Sequence, residues 1–180
     1  MPIITLPKNQ ELCGDLLTKM YSLNKQGKDF GGESPFKYAV NEIVDNIYQH
    51  SSFENAYLMA QKYIRKGFVE ICFFDDGISI PGNYLKYGFK LKDHEALVEA
   101  INGLSTKGKE RGFGLSSTIK LFTKGLGGEV LLLSGAGAVY MSSTTNLIYK
   151  VDQVHVLKGT LVSIRCPFPT KEVDIYEHIQ

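Results

Sequence analysis

The chain reads as an α+β protein, a two-layer sandwich with helices on one face of a mixed, mainly antiparallel sheet. Helix-spaced apolar residues concentrate in its first half and strand-like runs in its second. No repeat and no second domain are visible, so the 180 residues make one domain. Hydrophobic residues at 43% and charged residues at 22% lie within the globular range and allow a sizeable core.

The elements follow in order. Gln10 to Lys25 carries Leu12, Leu16, Met20 and Leu23 at helical spacing, with Gly27 as an end signal, and the linker KDFGGE follows. Ser34 to Ser52 is the central helix. Ser34 serves as N-cap and Pro35 fits the first turn, while Phe36, Val40, Ile43, Val44 and Ile47 form its buried face. Tyr57–Ile64 and Phe68–Phe74 are rich in β-formers and flank Arg65-Lys66-Gly67, which predicts a hairpin. The second strand stops at the turn-rich DDGISIPG. Residues 83–111 then carry little core pattern: an aromatic and lysine-rich loop (NYLKYGFKLK), a short helix from Asp93 to Leu104 and the polar run STKGKERGFG. Such a stretch between two glycine-bearing motifs reads as a lid. A helix from Leu115 to Lys124 turns Ile119 and Phe122 inward. Strands follow at VLLLS, AVYMSS, NLIYKV and Thr160–Cys166, and residues 168–180 form a tail.

Composition excludes several classes. Twenty basic and nineteen acidic residues leave a net charge of +1, so no overall field recruits nucleic acid or an anionic membrane. Met1 to Lys8 lacks the apolar run of a signal peptide, and no stretch is long enough for a transmembrane helix, so a soluble, cytoplasmic protein is expected. Cys13, Cys72 and Cys166 are odd in number and sit among apolar neighbours, as small buried hydrophobes in a reducing compartment do.

Three motifs carry chemistry. On the central helix Glu42 and Asn46 stack one turn apart beside the apolar face, with Gln49 on the same side, at a core edge where polar groups need partners. At the end of the second strand, Asp75-Asp76-Gly77 offers a carboxylate that can accept from an exocyclic amine and a glycine that admits a flat ring. In Lys107-Gly108-Lys109-Glu110-Arg111-Gly112-Phe113-Gly114, glycines and cations precede a helix, whose N-terminal N–H groups suit phosphate.

In this order, and with a lid between the second and third, the motifs resemble those of the GHKL or Bergerat-fold ATP-binding domains. That family includes gyrase B subunits, the large heat-shock chaperones, histidine kinases and MutL repair proteins. The resemblance runs from Pro35 to Pro167: NEIVDN (41–46) as the N box, Asp75 to Gly82 as the first glycine box, and Arg111 to Leu115 as the second. It implies Mg²⁺ and ATP as cofactors. Asn46 resembles the Mg²⁺ ligand, Glu42 the general base toward the γ-phosphate, Asp75 the adenine-reading carboxylate and Gly77 the glycine beneath the ring. Gly112 and Gly114 resemble the phosphate-binding backbone, Lys107 a lysine found in several histidine kinases, and Thr160 the late threonine that supports Asp75. His50 reads as a histidine favoured by a helix C-terminus, without a catalytic role. Ser79 departs from the family pattern, standing where many members carry a second glycine, and a P-loop is absent.

No histidine precedes the Ser34 helix, and no second domain of the gyrase or MutL kind is expected. The leading expectation is therefore a lone Mg-dependent ATP-binding module that hydrolyses ATP or phosphorylates a protein partner, resembling the small anti-sigma-factor serine kinases in signal transduction. The alternatives are a non-catalytic, nucleotide-gated interaction module and a nucleic-acid-associated factor using the KLK and KGKER lysines, which the near-neutral charge disfavours. A homodimer is compatible with either of the first two.

Overall fold

The computed structural model describes residues 3–23, 25–104, 113–168 and 172–177. Among these are seven strands in one sheet: β1 (Ile4–Thr5), β2 (Ala56–Tyr63), β3 (Phe68–Asp75), β4 (Glu129–Gly135), β5 (Gly137–Met141), β6 (Asn146–Lys150) and β7 (Leu157–Pro167). The spatial order is β1-β2-β3-β7-β4-β5-β6. Every pairing among the described residues is antiparallel, so the expected mixed sheet is corrected. The reason is local. Tight turns join β2 to β3 as a hairpin and β4 through β6 as a meander, and β7 returns between them antiparallel to both neighbours.

Among the described residues, five α-helices accompany the sheet: α1 (Gln10–Leu23), α2 (Glu33–Asn46), α3 (Ile80–Lys86), α4 (Asp93–Ile101) and α5 (Phe113–Lys120). The sheet buries one face against them. In β3, Val69, Ile71, Phe73 and Asp75 are buried and the residues between are half-exposed, and β4 and β7 alternate similarly. Phe36, Val40, Ile43 and Val44 of α2 are all buried in this common core. Burying each such side chain contributes roughly 1.5–3 kcal/mol.

The expected hairpin forms, with Gly67 in the left-handed conformation at its turn, φ 72°. Ser34 does not cap α2, however. The helix starts at Glu33 after Gly32, whose φ of 115° sets the entry angle, and no side chain caps it. Part of the KDFGGE linker is a 3-10 turn, Lys25–Phe30, whose Phe30 stacks on Phe36 at 4.6 Å. After Asn46 the central helix widens into a π-helical turn, Ile47–Ser51, and α5 does the same over Leu121–Gly125.

The loop expected at NYLKYGFKLK is corrected too, since its first residues belong to α3. Ser79 caps that helix, accepting a hydrogen bond from Gly82 N–H at 3.1 Å, and proline lies in its first turn. The next helix, α4, ends at Ile101 rather than Leu104. It is tied to the sheet by Asp93, whose Oδ2 accepts from Ala136 N–H at 2.6 Å.

Candidate functional site

The period-two alternation that buries one sheet face also builds the floor of a pocket. Register sets Asp75 of β3 opposite Thr160 of β7, and Thr160 opposite Ser134 of β4. One row further in, Phe73, Val162 and Leu132 stand opposite one another in the same way. The apolar columns of these three strands therefore each end in a polar residue, in the row where the β3–β7 pairing stops. Helix α2 supplies one wall with Ile43 and Asn46, the π turn adds Ile47, His50 and Ser51, and α3 contributes Asn83 and Tyr84. The cavity is about 170 Å³. A single water needs only about 10–15 Å³ on a comparable measure, so the space fits a small organic group.

The polar floor is wired together. Ser134 Oγ donates to the Gly159 carbonyl at 2.9 Å and accepts from Ile80 N–H at 2.8 Å. With that proton committed, the Thr160 hydroxyl donates across the 2.8 Å contact to Ser134, and its own oxygen keeps lone pairs for a ligand. Asp75 is buried and accepts from Gly77 N–H at 3.0 Å. Burial raises its carboxyl from an ordinary 3.8 to about 6, against the downward pull of the Gly77 N–H.

Its neighbour Asp76 does different work. It accepts from the N–H groups of Glu54 and Asn55 and from the Asn55 side chain, each at 2.8 Å, fastening the start of β2 to the end of β3. These bonds, those from Asn55 first, hold its carboxyl at about 2.

The two glycines among the described site residues permit close approach. A Cβ on Gly77 would lie 2.1 Å from the Ser51 carbonyl oxygen, which accepts from Ile78 N–H at 2.5 Å, so the strand end can lie against the π turn only at a glycine. A Cβ on Gly114 would lie 2.2 Å from Glu42 Oε2 and 3.7 Å from Asn46 Nδ2. The start of α5 therefore meets α2 at both polar residues. Burial, and then the nearby Asp45 charge, raise the Glu42 carboxyl above the usual range.

Asn46, Asp75, Gly114 and Thr160 thus line one pocket, with Glu42 beside it at Gly114. Gly77 does not line the pocket; it packs against the backbone of Ser51, which does. Lys107 and Gly112 lie outside the described residues.

Sequence reasoning missed Ser134, Asn83, Tyr84 and the pocket position of His50. Ser79 and Pro81 were a helix-start signal that would have placed Asn83 and Tyr84 on a structured wall. The alternation Val130, Leu132, Ser134 would have put a serine on the inner face. The π turn that carries His50 inward has no such signature.

Compared with known proteins, the chain matches no protein-family model, and no curated protein matches it significantly.

Proposed function

We propose that the protein is a Mg²⁺-dependent ATP-binding module of the GHKL type, which hydrolyses ATP or transfers its γ-phosphoryl group to a protein partner. The observation that carries this reading is the convergence of Asn46, Asp75, Gly114 and Thr160, distant in sequence, on one pocket with Glu42 at its side. Their types also suit the parts of a nucleotide. A buried carboxylate and a hydroxyl end an apolar slot made for a flat ring, and an amide and a second carboxylate stand where a helix begins.

In this reading Asp75 accepts a hydrogen bond from the exocyclic amine of adenine, with Thr160 beside it as a further polar contact. Phe73, Leu132 and Val162 cover the ring and exclude water. The donor set also fits magnesium. Among the described residues no three acidic, histidine or cysteine side chains cluster as a metal cage, and Mg²⁺ bound with a nucleotide needs only one or two protein oxygens beside phosphate and water. Asn46 would hold the ion, which supplies charge neutralisation at the phosphates when bound. Glu42 would orient a water or a partner's hydroxyl and accept its proton, a task favoured by its raised proton affinity.

Calorimetric titration with ATP and Mg²⁺, repeated with GTP and without Mg²⁺, tests the reading. Magnesium-dependent binding that prefers ATP is expected. Equal binding of GTP would refute the role of Asp75, and no binding of either nucleotide would refute the proposal.

A further inference from the structure

One free edge of the sheet is β6, and all five of its residues are exposed. Its pairing with β5 fixes which way its backbone groups point. Val151 N–H donates to the Ala136 carbonyl and Ser142 N–H to the Thr145 carbonyl, both at 2.8 Å, in the register that pairs Tyr149 with Ala138 and Leu147 with Tyr140. Hydrogen-bonded and non-hydrogen-bonded pairs alternate along an antiparallel ladder. Leu147 and Tyr149 therefore turn N–H and C=O toward β5, while Asn146, Ile148 and Lys150 turn theirs to the free edge. Native sheets blunt such edges with proline, bulges or inward charges. This strand has none of them at its centre, where Leu147, Ile148 and Tyr149 are 42%, 46% and 50% exposed.

We propose that β6 pairs antiparallel with β6 of a second copy of this chain, about a two-fold axis through Ile148. That register bonds every outward-facing residue: Ile148 meets Ile148 of the second copy, and Asn146 meets its Lys150. No like charges oppose each other. Centring the axis on Lys150 would bring two ammonium groups together, and centring it on Asn146 would run the strand into the turn that joins β5 to β6. On the sheet's open face, Leu147 then stands opposite Tyr149 of the second copy, an apolar pair formed twice. Among the described residues the opposite edge is β1, which at two residues long offers no equivalent partner. Head-to-tail growth is thereby disfavoured, and the assembly closes as a dimer.

Sedimentation equilibrium of the full chain across a concentration series, with hydrogen exchange on the same samples, tests this. The expected result is a rise in mass from 20.1 kDa to twice that value. Exchange at the Ile148 and Lys150 amides should slow as the dimer forms, while the Leu147 and Tyr149 amides stay protected throughout. Ile148→Pro removes an outward donor without touching the β5 ladder and should leave a folded monomer with an unchanged circular dichroism spectrum. Ile148→Lys should do the same should the proline variant misfold. A parent that stays monomeric, or a dimer that survives both substitutions, would overturn the proposal. So would a dimer whose Ile148 amide exchanges at a concentration-independent rate. Loss of the dimer on Leu133→Glu but not on Ile148→Pro would place the contact on the open sheet face and overturn it equally.

Discussion

Gly159 sits directly behind Asp75: a Cβ added to it would lie 1.9 Å from the Asp75 carbonyl oxygen. The glycine also has φ 92°, a conformation that side chains resist. Gly159→Ala should therefore push β7 from β3 at the pocket floor. The expected loss of stability is about 2 kcal/mol or more, from left-handed strain plus the backbone clash. Urea denaturation monitored by circular dichroism measures it, and a loss below about 0.5 kcal/mol would show that the strand end moves freely.

Asp75→Asn should act in opposite directions on binding and on stability. The amide can keep the bond from Gly77 N–H but presents a donor where the carboxylate offered an acceptor, so ATP affinity should fall by tenfold or more. The unliganded protein should become more stable at neutral pH, since the substitution removes a buried charge.

The sign of the pH dependence follows from the same carboxylate. Its folded value of about 6 exceeds the ordinary 3.8, so the folded state binds the proton more tightly. Its contribution is then present below about pH 4 and lost as pH rises through 6, a change of roughly 3 kcal/mol at most. Thermal melts of the parent between pH 4 and 7 should show this component, and melts of Asp75→Asn should lack it. Identical pH profiles would mean that Asp75 titrates normally.

Glu42→Gln should leave nucleotide affinity within about twofold and abolish turnover, because it removes a base without removing volume. Gly114→Ala reaches the same end by displacement. The new methyl meets the tip of the flexible Glu42 side chain rather than backbone, so the protein should lose little stability while Glu42 is driven from its position. Steady-state phosphate release or partner phosphorylation, set beside calorimetric affinity, separates these effects. Turnover at the parent's rate in both variants would place the base elsewhere.

Ser79→Ala removes the α3 cap and should cost about 1 kcal/mol. Because α3 carries Asn83 and Tyr84, the same change should weaken ligand binding more than an equally destabilising change remote from the pocket. Calorimetry of Ser79→Ala beside Leu6→Val, which trims the core beside β1, makes that comparison.

Much of this was legible in the residues. The apolar spacing of Phe36, Val40, Ile43 and Val44 located the central helix, and the hairpin around Gly67 followed from β-formers flanking a turn. Glu42 and Asn46 stood out as polar groups at a core edge, and Asp75 as a carboxylate at a strand end before a glycine. Sequence reading failed where tertiary contacts decide. Ser34 looks like a cap, yet Gly32, at φ 115°, holds that position and the helix starts two residues earlier. The β6 to β7 connection leaves no local mark of its destination, so the wholly antiparallel order and the meeting of Ser134 with Thr160 could not be read along the chain.

The place of β7 bears on how the protein is made. The strand is the last of the seven along the chain yet lies between β3 and β4, so the β2–β3 hairpin and the β4–β6 meander are joined in one sheet only through Leu157–Pro167. Long-range closure of this kind slows folding. On a ribosome, a nascent chain stopped before Leu157 would leave the inner edges of β3 and β4 unpaired, a target for chaperones and a hazard for aggregation. The polar row of the pocket floor should then form in a single late step, when Thr160 slides in between Asp75 and Ser134.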